Sequence, residues 1–100
     1  MSSPGSEAAR LLGQRFRAER VRVGITQMDL AHLAGLNVAN YGRIERGKGN
    51  PSFQTIIRLA GVLGKDPSIF VRGIGLDAIP EAARPYTAAE FLREKRARER

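Results

Sequence analysis

The sequence predicts an all-α bundle of five short helices in about sixty residues, with a C-terminal extension that begins a sixth. Three observations predict it. Between Glu7 and Val71 the apolar residues recur at spacings of three and four, which places them on one face of successive helices. Ser, Thr, Asn or Asp precedes most of these stretches and glycine closes several of them, the residue types that start and stop helices. No stretch alternates apolar and polar residues as a half-buried strand would. With 100 residues and 42% hydrophobic content, the chain is long enough for one small domain with a modest core.

Pro4, Gly5 and the early serines predict a mobile arm over residues 1–9, the alternative being a remnant of cloning. From Glu7 to Val23, Ala8, Leu12, Phe16 and Val23 fall on one stripe while Arg10, Arg15, Arg17 and Arg22 point elsewhere. This is an amphipathic first helix, ended by Gly24. Its arginines are expected to be mainly a solvated face, with one or two lying along a polyanion backbone. Ile25 then packs down as a staple just before Thr26, which caps the second helix with Asp29 as its capping-box partner. Leu30, Ala31 and Ala34 form the buried side of that helix, and Gly35 turns the chain sharply because it adopts positive φ without a Cβ clash.

Asn37 caps a third helix. Tyr41 and Ile44 turn inward, which leaves residues 38, 39, 42 and 43 on the outer side. Two short helices joined by a glycine turn, the second presenting small and polar side chains outward, is an arrangement that inserts one helix into a groove of DNA. Gly42 costs about 1 kcal/mol relative to alanine inside a helix, and either close approach to DNA or tolerance of a weak spot would account for it.

The polar loop Arg46, Gly47, Lys48, Gly49, Asn50 cannot sustain a helix, and its glycines allow close approach to another surface. After Pro51, Ser52 caps a fourth helix whose broad apolar face is Phe53, Ile56, Ile57, Leu59, Ala60 and Leu63, closed by Gly64. Asp66 caps a short fifth helix with Pro67 at its first position and Ile69, Phe70 and Val71 within it. Gly75, Pro80 and Pro85 make Ile74 to Tyr86 an irregular linker. Thr87 to Glu90 is a capping box, and Phe91 and Leu92 begin a last helix that is otherwise nearly all charge, with Arg98 and Arg100 near its end as the helix dipole prefers. With so little apolar surface this helix either docks through Phe91 and Leu92, pairs with a partner, or frays.

Composition narrows the function classes. There are 17 Lys and Arg against 10 Asp and Glu, a formal charge of +7, which fits a polyanion binder and equally a merely solvated basic surface. Cysteine is absent, which excludes disulfides and thiolate metal sites. A single histidine, His32, and scattered carboxylates do not assemble acid-base or metal chemistry, so no enzyme, metal or cofactor is expected. No apolar run approaches the roughly 20 residues of a bilayer crossing, and Met1 to Arg10 lacks the apolar segment of a secretory signal. The expected location is cytoplasmic, with no membrane partner, and nucleoid-associated when bound to DNA.

From about Leu12 to Val71 the chain resembles the Cro/CI-type (xenobiotic-response-element) helix-turn-helix domain. The resemblance is carried by Arg20-Val21-Arg22-Val23-Gly24, Thr26-Gln27, Leu30-Ala31, the Gly35 turn, Ile44-Glu45-Arg46-Gly47, Asn50-Pro51, and Leu59-Ala60 with Leu63-Gly64, in order. It implies a lambda-repressor-like domain over residues 10–72, with the motif at about 27–46 and residues 73–100 as linker and basic C-terminal helix. It also implies that Val38 to Glu45 reads the major groove while Gln27 to Ala34 lies across the backbone.

Residue roles follow from chemistry and resemblance together. Gln27, at a helix start whose free N-H groups attract phosphate, reaches a phosphate or an adenine edge. Val38 and Ala39 can meet only thymine methyls, and Asn40 either reads adenine or sits at the rim. Arg43 suits a bidentate pair with guanine, worth about 1 to 3 kcal/mol of discrimination, with a phosphate contact as the competitor. Arg46, Lys48 and Asn50 stand where the family's loop grips phosphates, the alternative being a solvated charge run. Arg20 and Glu45 resemble a pair that ties the first helix to the end of the reading helix, more for position than for stability. Two departures are Tyr41, where an aliphatic residue is common, and an outer face poor in amides.

The expected function is a sequence-specific regulator of transcription that binds double-stranded DNA as a homodimer on a palindromic operator. Relatives dimerise to place two reading helices about 34 Å apart. Ile69, Phe70, Ile74 and Leu76 are the candidates for the dimer contact. The alternative is a protein-binding module on the same scaffold, an antitoxin or bridging coactivator, using residues 74–100.

Overall fold

Ser6 opens the first helix by accepting the Ala9 N-H at 3.0 Å, so residues assigned to the arm form instead the cap and first turn of α1, Glu7–Val23. The computed structural model describes residues 6–99; residues 1–5 of the expected arm, and Arg100 at the chain's end, lie outside them. Four more helices follow within the bundle: α2, Gln27–Ala34; α3, Val38–Glu45; α4, Phe53–Val62; and α5, Ser68–Val71. Two 3-10 turns, Leu76–Ala78 and Glu81–Ala83, lead to α6, Ala88–Arg98. The described residues contain no strand.

The caps read from the sequence act where expected. Thr26 and Asp29 form a complete capping box, as do Thr87 and Glu90. Asn37 accepts the Ala39 N-H at 2.8 Å, and Ser52 accepts that of Thr55 at 3.1 Å. Asp66 accepts the Ser68 N-H at 2.8 Å, although Pro67 itself stands just before α5 rather than within it. At Gly35 the backbone is left-handed, φ 73°, and the chain turns there from α2 toward α3.

The core lies where α1 and α2 pack on α3, α4 packs on α2, and α5 closes against α1. Phe16, Leu30, Tyr41, Leu59 and Phe70 are its largest fully buried side chains. Phe16 and Phe70 stack with ring centroids 4.1 Å apart. Phe70 therefore belongs to the core and is withdrawn from the dimer surface; Ile69 is half-buried against the same cluster. Apolar periodicity cannot say which residue of so short a helix faces inward.

Three other expectations change. Val23 is 43% exposed, because Arg20 takes the next place on the buried edge of α1 after Leu12 and Phe16. Phe53 and Ile57 are exposed at 75% and 42%, since the first turn of α4 overhangs its neighbours; the buried side is Leu59, Ala60 and Leu63. Arg15 is no free surface cation. Its guanidinium donates to the carbonyls of Phe70 at 3.2 Å and Arg72 at 2.7 Å, satisfying the end of α5.

The segment from Ile74 to Tyr86 is less irregular than expected. Its two 3-10 turns are backed by the Arg84 guanidinium, which donates to the carbonyls of Ile79 and Asp77, and Ala78 is buried. By contrast, α6 buries none of its residues, and Phe91 and Leu92 remain about half exposed. Tyr86 holds it locally, its hydroxyl donating to Glu94 at 2.5 Å.

Candidate nucleic-acid interface

A helix that repeats every 3.6 residues and buries Tyr41, Ile44 and Glu45 must turn residues 38, 39, 40 and 43 away from the core. Val38, Ala39, Asn40 and Arg43 are all exposed, and none of the described residues covers them. Exposure continues past the end of α3 at Arg46, Lys48 and Asn50, which with Asn40 and Arg43 make a strip of five polar or cationic groups; Gln27 lies beside Arg46 at Gly42, while Lys48 borders a separate cleft with Ala8, Ala9 and Leu12 of α1. Asn40 and Arg43 also border a groove whose opposite wall is Asn50, Ser52 and Thr55 at the start of α4. The sequence marks Ser52 only as a cap and gives Thr55 no role; a second hydroxyl in the first turn of a helix that follows a cationic loop is the signal that points to both.

What fixes the strip is a buried carboxylate behind it. Glu45 accepts from Arg20 Nε at 2.6 Å and Arg20 Nη2 at 3.1 Å, from Gln27 Nε2 at 3.0 Å and from the Tyr41 hydroxyl at 2.5 Å. Arg20 also donates to the Ile25 carbonyl at 2.9 Å, so one guanidinium joins α1, the α1–α2 turn and α3. The Glu45 side chain is 2% exposed and that of Arg20 13%. Burial pushes the Glu45 carboxyl up, but the hydrogen bonds from Arg20, Tyr41 and Gln27 outweigh it and hold the group below its ordinary 4.5. Burial, then the Glu45 carboxylate, drive the Tyr41 hydroxyl far above its ordinary range, so it stays a donor. The departure at Tyr41 is thereby explained: its hydroxyl has a partner.

Gln27 is a member of this network. One N-H of its amide is committed to Glu45, and its Oε1 turns toward α3, where a Cβ added to Gly42 would stand 3.6 Å away.

The loop glycines serve the protein's own packing. Gly47 has φ 73°, and a Cβ there would lie 2.9 Å from the Arg10 Cα; one on Gly49 would lie 3.0 Å from Ile44 Cγ1. Close approach is therefore to α1 and α3, and it sets the path on which Arg46, Lys48 and Asn50 are displayed. Gly13 was missed altogether. A Cβ there would run into the Ile44 carbonyl oxygen and stand 2.7 Å from that of Glu45, so α1 crosses α3 at backbone contact. A glycine in the middle of an amphipathic stripe was the available sign.

The comparisons agree with this geometry. The Helix-turn-helix family model matches residues 16–70, more than half of the chain. The immunity repressor protein of Bacillus phage phi105 is 40% identical over 60 residues, which is 60% of this chain and 42% of that protein. The SPbeta prophage-derived uncharacterized HTH-type transcriptional regulator YonR of Bacillus subtilis (strain 168) is 29% identical over 63 residues, 63% of this chain and 58% of that one. The chain thus spans about half the length of these relatives. Among solved structures, the restriction-modification controller protein C.AhdI from Aeromonas hydrophila superposes with a TM-score of 0.61 at 37% identity, over 62% of this chain and 94% of the other. Its turn at Gly35, its Arg20 to Glu45 tie and its match over residues 16–70 make this chain a member of the helix-turn-helix family, with a domain of the Cro/CI type.

Proposed function

We propose that the protein is a sequence-specific DNA-binding regulator of transcription that acts as a homodimer on a palindromic operator. The observation that carries the reading is the uncovered outer face of α3, held from behind by the Glu45 network and continued by the cationic loop. Val38 and Ala39 meet thymine methyls, Asn40 and Arg43 meet base edges, and Gln27, Arg46, Lys48 and Asn50 meet the flanking phosphates. The chemistry is recognition, without a catalytic step or cofactor. Among the described residues no helix is long and apolar enough to cross a membrane, and the site of action is taken as the cytoplasmic nucleoid.

Arg43→Ala should flatten base preference at one position of each half-site. Lys48→Ala should weaken all duplexes alike and lower the salt slope by about one. Selection from a random duplex pool followed by titration of both variants measures this, and equal losses for Arg43→Ala on selected and random duplex would remove it as a base reader. A pool that yields no enriched motif would favour the protein-binding reading, for which the uncovered Phe91 and Leu92 of α6 are the specific support.

For the dimer, Ile69, Ile74 and Leu76 remain as contact residues, Leu76 being 44% exposed. Sedimentation at micromolar concentration should give a species of twice the 11.0 kDa chain mass. A single 11.0 kDa species, with and without DNA, rules the dimer out.

A further inference from the structure

Gly42 is the puzzle of α3. Its φ is not positive, so no turn or left-handed backbone calls for glycine there, and the residue is buried although it sits on the side of the helix that carries Val38 and Arg43. What covers it is mainly the side chain one turn on. A Cβ at Gly42 would lie 3.0 Å from Arg46 Nη1 and 3.9 Å from its Cζ, with Gln27 Oε1 at 3.6 Å on the other side. The neighbours are the ends of two side chains and not backbone, which sets Gly42 apart from Gly13, where carbonyls block the place, and from Gly61, where the space is open.

We propose that Gly42 is a positioning residue, its missing side chain letting the Arg46 guanidinium fold back along α3 toward Gln27 and present its charge to the DNA backbone there. The inference rests on the reading of α3 and its loop as the DNA-contacting side. Arg46 is the helix's C-cap residue, one turn beyond Gly42, and a Cβ at Gly42 would crowd its Nη1 and oblige the guanidinium to shift. Lying in the notch, it stands over the junction of α2 and α3. Gln27 forms the far wall and is held still because its Nε2 donates to Glu45 at 3.0 Å. The Gln27 oxygen facing the notch is an acceptor, which favours a cation at that spot, so within the notch the phosphate contact falls to Arg46, while the second amide N-H of Gln27 is left for its own.

The test is Gly42→Ala, with Arg46→Ala and the double variant, each titrated against a labelled random-sequence duplex of about two helical turns over a range of salt. Random sequence suffices because a phosphate contact carries no base information. Alanine favours the helix and meets only movable side-chain ends, so Gly42→Ala should melt at or above the parent temperature. It should nonetheless bind the duplex roughly tenfold more weakly, the size of one lost charge-assisted hydrogen bond. Arg46→Ala should lose at least as much and lower the salt slope by about one. The double variant should bind like Arg46→Ala alone, because the glycine acts only through the arginine.

A Gly42→Ala protein that binds like the parent while Arg46→Ala does not would overturn the role of Gly42 and leave the reading of the loop intact. A lowered melting temperature, or losses that add in the double variant, would overturn it as well. If Arg46→Ala itself binds like the parent, the arginine is no DNA contact and both statements fall.

Discussion

Replacing Glu45 with alanine should cost about 3 to 5 kcal/mol of folding stability, a large part of what a domain of this size possesses. Four hydrogen bonds converge on that carboxylate from α1, α2 and α3, and its side chain is almost wholly enclosed. Its removal leaves the Arg20 guanidinium and the Tyr41 hydroxyl buried with nothing to accept from them, which costs more than the pair is worth when intact. At about 4 to 8 °C per kcal/mol for a domain this small, the fall in Tm is large enough to unfold the variant near physiological temperature. Chemical denaturation gives the number directly, and a loss under about 1 kcal/mol would show that the network is ornamental.

The pH dependence has a definite sign. Glu45 has a folded pKa below its ordinary value of 4.5, so its contribution is complete above 4.5 and is lost as pH falls through the folded value, where the unfolded chain has already taken up the proton. The Glu45→Gln protein should lack that part of the acid limb. Joint replacement of Arg20 and Glu45 by methionine and leucine should cost much less than Glu45→Ala, because no charge is then stranded.

Gly13→Ala is the second large effect, and it opposes helix propensity. Alanine is the better helix former by about 1 kcal/mol, yet here the added carbon meets the backbone carbonyls of Ile44 and Glu45. Neither can swing aside as a side chain would. The helices α1 and α3 must separate, pulling on the Arg20 to Glu45 tie and on Phe16, and the net loss should be about 3 kcal/mol. Thermal unfolding of Gly13→Ala beside Gly42→Ala makes an internal contrast: the same substitution in two helices, one expected to melt lower and the other not. Equal or higher Tm for Gly13→Ala would mean that α1 and α3 are not in backbone contact.

What is legible in the sequence is local. Thr26, Asn37, Ser52 and Thr87 announce helix starts because a cap is a contact between residues two or three apart. The outward side of α3 was legible for the same reason, since Tyr41 and Ile44 orient it through a 3.6-residue repeat. What escaped depends on residues far apart in the chain. The partners of Gly13 are at 44 and 45, those of Arg15 at 70 and 72, and the ring under Phe70 belongs to Phe16. A short apolar helix looks the same whether it faces a neighbour in its own chain or another molecule, which is why Phe70 was placed on a surface it does not reach. Phe53 and Ile57 failed in the opposite sense, as apolar periodicity runs one turn beyond the neighbours that α4 has to cover it.

Because one enclosed carboxylate clamps three helices, α3 is held against tilting or sliding by itself, and on the reading proposed above it would meet a duplex as a fixed shape. Little conformational entropy is left to lose on docking. Under that reading, a site whose phosphates do not match the spacing of this stiff template would be accommodated by bending or twisting of the nucleic acid, so stretches that nothing touches would acquire influence through how readily they deform.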